Sequence, residues 1–391
     1  KELLTALSFL AKEMGAEHAV YALKEKYREA VLALSSEIKN FPSVSLHLLP
    51  NIYPAGDEQV LVYEVTGRIV PEGGIPLAVK CVVINTETLL NIYGAIFKGE
   101  AVTEKYITVT GAVKNPATVK VPLGVSFTEV ISLCGGASVR DFAVIDGGPM
   151  MGKLVDAESS VVTKTTKGII VLPSDHPLTS SKAKKMDAMM KLAKSACCHC
   201  MLCTEVCPRA LLGHTLHPDK IMRIASYGDV CDNSADITEA FLCCECGLCE
   251  QACIMGFQPW KLNKELKSKL AAKGIKNPRH EAPASAHPFR EYRKFPIPKL
   301  TRMLGLAAYD RDAPYDEKLT AKPMFVTLLL KQSAGAPSKP VISEGDTVSA
   351  GDIIAEIQEN SLGSTLHASV SGTVESITDM AIRIKLQEVC K

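Results

Sequence analysis

The chain has almost no net charge: 44 Lys and Arg against 43 Asp and Glu leave +1 over 391 residues. Bulk charge therefore gives no indication of binding to nucleic acid or to an anionic membrane surface. Long hydrophobic runs are lacking too. The longest, such as residues 325–330, are strand-sized, well short of the roughly eighteen apolar residues of a spanning helix. There is no Ser/His/Asp constellation, no P-loop and no carboxylate pair that demands hydrolytic chemistry. Lys1-Glu2-Leu3-Leu4 opens inside a helical pattern with no initiator Met and no signal peptide, so the expectation is that an N-terminal piece is missing.

What is present is ample core material, with 47% hydrophobic and 22% charged residues. At this length about two to four compact units are expected. Residues 1–40 have a helical period at both ends with a short buried strand at 18–23 between them. Strand-like runs follow at 60–63 and 79–84, then a helical stretch at 87–97. This alternation predicts an α/β domain over 1–104. Residues 106–110 and 117–121 read as strands around a turn, 127–134 as a helix closing on Gly135-Gly136, and 143–145 as a third strand. That is a β-grasp pattern, and 161–172 adds a strand pair to give a domain over 105–180. Residues 186–275 are helical, 276–323 are Pro-rich and read as an extended linker, and 324–391 are all-β in character, as in a barrel or sandwich.

Fourteen cysteines are many for such a chain, and most lie between Cys197 and Cys253. Clustering of this kind suits metal ligation in a reducing cytosol better than a disulfide framework. Cys197, Cys200, Cys203 and Cys207 are spaced C-x2-C-x2-C-x3-C, and Cys243, Cys246, Cys249 and Cys253 repeat the spacing. This is the run of two-cluster ferredoxins, in which the fourth cysteine ligates the other cluster. The predicted ligands are therefore Cys197, Cys200, Cys203 and Cys253 for one [4Fe–4S] cluster, and Cys243, Cys246, Cys249 and Cys207 for the second. The alternative, zinc, usually pairs two C-x2-C units across a longer gap. Cys198 and Cys244 break the spacing and read as spare thiols. Cys81, Cys134, Cys231 and Cys390 read as small apolar residues. His199 lies inside the first run and could donate to a sulfur, whereas His214 and His217 read as solvated loop residues.

Together with Tyr53-Pro54-Ala55-Gly56-Asp57-Glu58, Thr66-Gly67-Arg68-Ile69-Val70-Pro71, Asn85-Thr86-Glu87-Thr88 and Gly147-Gly148-Pro149-Met150-Met151-Gly152, this cysteine domain resembles the RnfC family of Rnf-complex proteins. That family is related to the NADH-oxidising flavoprotein of respiratory complex I. The resemblance implies a partial complex-I-flavoprotein-like α/β domain, an SLBB-like β-grasp, a ferredoxin-type domain and a barrel-sandwich hybrid. The last is similar to biotinyl/lipoyl carriers, but its tip at 359–364 has no Lys to take a carrier group. Its place at the end of the chain resembles the cobalamin reductases of propanediol-utilisation microcompartments.

The resemblance further implies FMN, with Tyr53, Gly56, Asp57, Glu58 and Asn85 at the FMN/NADH site, and NADH as electron donor. It implies cobalamin or a cobalamin adenosyltransferase as acceptor, and shell proteins as partners in a cytoplasmic microcompartment. The family's glycine-rich GxGGAGFP loop would precede residue 1. For Gly56-Asp57 and Asn85 the plain alternatives are a turn and a helix N-cap. Two rival readings are a peripheral component of a membrane-bound ion-translocating NADH:ferredoxin oxidoreductase, and an electron-carrying or docking module without a reaction of its own. No residue is assigned a catalytic role. Cys197→Ala and Cys243→Ala should each lower the iron content of anaerobically purified protein, while Cys198→Ala should not; zinc as the only metal found would overturn the assignment.

Overall fold

The computed structural model describes residues 1–227 and 235–387. Its contacts divide the chain into two units, Lys1–Tyr93 with Lys184–Leu304 and Gly94–Ala183 with Gly305–Lys391. Cys231 and Cys390 lie outside the described residues. Among the described residues no helix is long and apolar enough to cross a membrane.

In the first unit, strands Ala19–Lys24 and Val44–Leu49 pair in parallel, and helices Glu2–Glu13 and Thr86–Tyr93 pack together over a core that includes Leu4, Ala6, Tyr21 and Leu89. The second of these strands was passed over in the sequence, although Val44-Ser45-Leu46-His47-Leu48 alternates as a half-buried strand does. Residues 60–63, read as a strand, belong to helix Glu58–Thr66. Asp57 caps that helix by accepting from the Val60 N–H at 3.1 Å, and Gly67 closes it at φ 68°. The caps outweigh the β-propensity of a short valine-rich run. Residues 79–84 form no strand either: Pro76–Val79 is a 3-10 turn, Lys80 takes φ 57°, and Val82 is exposed.

The cysteine-bearing part of this unit is helical, as expected. Helices Met186–Ala196, Pro218–Tyr227 and Pro259–Ala272 enclose Met189, Leu216, Ile221, Met222, Leu262 and Leu266. The Pro-rich stretch is not an extended linker. Phe295–Pro296 adds an antiparallel bridge to Ile52–Tyr53, and helix Ile297–Met303 follows at once. Proline fixes the backbone of this segment without excluding it from packing. Arg290 is buried, with its guanidinium stacked 4.4 Å from the Tyr63 ring centre and 2.5 Å from the Glu64 carboxylate, which Lys294 also reaches at 3.0 Å.

The second unit holds a sheet ordered Ala117–Pro122, Glu104–Gly111, Gly168–Pro173, Phe142–Asp146, Lys153–Val155, with its central pair parallel. Helix Phe127–Leu133 begins with a capping box between Ser126 and Glu129. This is the β-grasp arrangement. The strand pair read at 161–172 is a single strand, Gly168–Pro173. Val161 makes only an isolated bridge to Ser126, and the short strand Lys153–Val155 takes the outer position. Gly111 must be glycine: at φ 93° an added Cβ would lie 2.0 Å from the Val171 carbonyl oxygen. Lys182 clamps the Gly147–Gly152 turn by donating to the Met150 and Gly152 carbonyls at 3.1 and 2.6 Å.

The terminal segment forms a sandwich rather than a closed barrel. One sheet runs Phe325–Leu329, Ala381–Leu386, Gly372–Ile377, Thr347–Val348, and the other runs Lys339–Pro340, Ile353–Glu356, Leu366–His367. Residues 305–323 are pinned to the β-grasp sheet: Arg311 donates to the Gly111 and Val113 carbonyls, and the Thr118 N–H donates to Pro314.

The Glu64 cluster gives a test. Burial alone would raise the Glu64 carboxyl, but the hydrogen bonds and charges of Arg290 and Lys294 outweigh it and hold the carboxyl below its ordinary range. Because its folded pKa is depressed, its contribution is full above the unfolded carboxylate value and is lost as pH falls through the folded one. Arg290→Ala should cost about 3 kcal/mol in urea unfolding at neutral pH, and Glu64→Gln should flatten the acid limb of the stability profile.

Candidate functional site

The two cysteine loops repeat one backbone conformation. His199 and Met201 adopt φ 55° and 63°, and the equivalent Glu245 and Gly247 adopt 57° and 81°. Each left-handed pair folds the chain back on itself so that three cysteines face one hollow. A short helix then begins, Leu202–Glu205 in the first run and Leu248–Ala252 in the second. The fourth cysteine of each run ends up elsewhere. Cys253 lines a cavity with Cys197, Cys200 and Cys203, and Cys207 lines another with Cys243, Cys246 and Cys249. Cys198 borders the first cavity and Cys244 the second, as expected of spare thiols packed beside the ligand set.

The thiols line the walls of a hollow instead of meeting at a point. Among the described residues no three His, Cys, Asp or Glu side chains are placed to hold a single metal ion. Four cysteines around each hollow are the donor set that a [4Fe–4S] cube takes.

Electrostatics separates the two cavities. Cys207, Cys246 and Cys249 are buried, while Cys198 and Cys200 are exposed. Burial pushes the Cys203 and Cys207 thiols up to about 12, and Cys246 and Cys249 are raised as well. Cys246 shifts first through its hydrogen bond with Cys244, whose own thiol that same bond lowers to about 7. Thiolates this close and this buried repel one another, so the thiols are held protonated and metal loading must expel protons. The first cavity also contains Asp219, buried, whose carboxylate accepts from the Thr204 hydroxyl at 2.5 Å. Against the second cavity stand cations. Arg209, buried, is raised above its ordinary value: burial opposes the charge, but Cys244, Asp57 and Cys207 favour it more. Lys267 donates to the Cys243 carbonyl at 2.5 Å and to Glu245 at 3.0 Å.

The residues matched to the flavin site divide into two groups. The Tyr53 hydroxyl donates to the Cys246 carbonyl at 2.8 Å, and burial raises its pKa. The Asp57 carboxylate binds Arg209 through both oxygens, at 2.6 and 2.9 Å, while capping its own helix. These two side chains are thus committed to the cysteine loops. Gly56, Glu58 and Asn85 are exposed, and Asn85 accepts from the Glu87 N–H at 3.1 Å as a helix cap. They are the members of the set that remain open to a flavin, so the fit to FMN is partial.

His199 sits with Nδ1 3.9 Å from the Cys197 sulfur. His214 and His217 are not solvated loop residues. His214 is buried with Nε2 2.9 Å from the Val70 carbonyl, and His217 packs on the buried Glu239 at 3.1 Å, because the chain after the first run folds under the α/β part. Cys134 is buried in the β-grasp core and Cys81 is half-buried. Arg209, Asp219 and Asn263 escaped the sequence reading. The available signal was a polar side chain inside an otherwise apolar helical face.

Known proteins share this arrangement along almost its whole length. The cobalamin reductase PduS of Citrobacter freundii is 38% identical over 98% of this chain and 84% of its own. PduS of Salmonella typhimurium matches equally, at 38% over 98% of this chain and 84% of its own. The chain belongs to the PduS cobalamin reductase family. A component of the Na(+)-translocating ferredoxin:NAD(+) oxidoreductase complex of Acetobacterium woodii is 32% identical, over 53% of this chain and 44% of its own. Models of the Nuo51 FMN-binding domain, the SLBB domain, the 4Fe-4S dicluster domain and the RnfC barrel sandwich hybrid domain match residues 1–94, 106–154, 196–258 and 316–390. The chain is thus an oxidoreductase with flavin and iron–sulfur domains.

In iron-free protein under native conditions, iodoacetamide should modify Cys198 and Cys200 first and Cys207, Cys246 and Cys249 last, as read by peptide mass spectrometry over time.

Proposed function

We propose that this protein carries electrons from NADH, by way of FMN and two [4Fe–4S] clusters, to cobalamin. The observation that carries the reading is the pair of cavities, each lined by three cysteines of one run and the fourth of the other, in a chain similar to PduS over 98% of its length. Cys197, Cys200, Cys203 and Cys253 are the proposed ligands of the first cluster, and Cys243, Cys246, Cys249 and Cys207 of the second. Bound FMN would supply the exchange between a two-electron hydride donor and one-electron carriers. The chain's own part is to hold these groups near one another and shut out water. Tyr53 and Asp57 hold the FMN-domain segment against the second cysteine loop and the Cys207 turn, and Gly56, Glu58 and Asn85 are proposed to face the flavin.

Cobalamin, free or held by an adenosyltransferase, is the proposed acceptor, and a microcompartment with its shell proteins the proposed location. The Rnf-type reading has weaker support, since the Acetobacterium woodii relative aligns with only about half of this chain. Anaerobically purified full-length protein should contain iron, sulfide and flavin and reduce cobalamin with NADH, and Cys207→Ala should slow that transfer by at least about tenfold. Full iron and flavin content with no NADH-dependent cobalamin reduction would refute the acceptor.

A further inference from the structure

Asn263 occupies a position where a polar residue needs a reason. It lies on helix Pro259–Ala272 among the buried Leu262, Leu266 and Leu270, and its own side chain is 0% exposed. Neither its Oδ1 nor its Nδ2 has a hydrogen-bond partner. Buried amides are almost always satisfied, so an orphan of this kind points to a group that belongs there. The amide lines the second cavity, beside Cys207, Cys243, Cys246 and Cys249.

The first cavity has the opposite furnishing. Its buried polar side chain is the Asp219 carboxylate, already bound by Thr204, which repels added negative charge, and the imidazole near its Cys197 sulfur, His199, lies in the more open loop. Reducing a cluster adds one negative charge. Burial disfavours the reduced state, and so does a nearby carboxylate, whereas an N–H aimed at a ligand sulfur stabilises it. The second cavity is the more buried of the two, so burial lowers its potential more; Arg209 and Lys267 offset part of that, and a donor to a ligand sulfur offsets more.

We propose that the Asn263 side-chain amide donates an N–H to a cysteine sulfur of the second cluster and thereby holds that cluster's reduction potential up against the effect of burial. Asn263 is a positioning residue, acting through a ligand and not on substrate. The inference rests on the two-cluster reading above.

The test is a redox titration followed by electron paramagnetic resonance on the full-length, iron-loaded protein. Asn263→Leu, of similar volume and without a donor, should shift one of the two midpoint potentials to more negative values and leave the other in place. Two unmoved midpoints, or an equal shift in both, would overturn the proposal. Should Asn263→Leu fail to load iron, the wild-type protein labelled with side-chain 15N-asparagine supplies the readout. A 15N hyperfine coupling in the reduced state is expected, and its absence would be equally fatal. Wild-type protein without reduced [4Fe–4S] signals would remove the cluster reading and this inference with it. Signals present with unmoved midpoints would remove the inference alone.

Discussion

Two stretches of backbone, separated by the length of a helix-rich insertion, each place one cysteine in the other's cavity. Cys207 leaves the first loop to line the hollow of the second, and Cys253 makes the return crossing. Neither hollow is complete unless both loops are folded and docked, so the local conformation of each run is conditional on a long-range contact. The surrounding helices serve that condition. Met189, Ile221, Leu262 and Leu266 bury the interface behind the loops, and Pro208 starts the turn that carries Cys207 across.

The same logic extends outward to the α/β part of the first unit. Arg209 follows Cys207 by two residues and is fixed by both oxygens of Asp57, while Tyr53 reaches the Cys246 carbonyl. Buried ion pairs contribute little net stability when intact, yet breaking one leaves an uncompensated charge. Their use here is registration: they permit only one arrangement of the Tyr53–Asp57 turn against the cysteine loops. The Pro-rich segment closes the assembly from behind. Phe295–Pro296 pairs with Ile52–Tyr53, and Arg290 meets Glu64, so a stretch that reads as a tether acts as a clasp.

Cysteine spacing made the centre legible from sequence, because C-x2-C-x2-C-x3-C fixes which thiols can share a loop and which must leave it. The β-grasp elements were legible for a similar reason: strands alternate on either side of the Gly111–Pro116 turn, and Gly135-Gly136 marks the end of the helix. What was not legible depends on contacts between distant residues. Helix Glu58–Thr66 looked like a strand because its valines were weighed without the Asp57 cap, while the pairing of Val44–Leu49 with Ala19–Lys24 joins segments far apart in the chain. Asp57 was matched to a flavin motif, and no local pattern could reveal that Arg209, far along the chain, takes up its carboxylate. Asn263 was passed over since a single amide in a helix carries no spacing signal.

The left-handed residues of the two loops carry one more consequence. Of His199, Met201, Glu245 and Gly247, only the last is free of the penalty that a side chain incurs at positive φ, about 1–2 kcal/mol for each of the others. The first loop therefore holds two such residues and the second holds one. When oxygen strips the iron away, the first loop has more to gain by uncoiling and lies nearer to solvent, so damage and repair of the centre should both begin there.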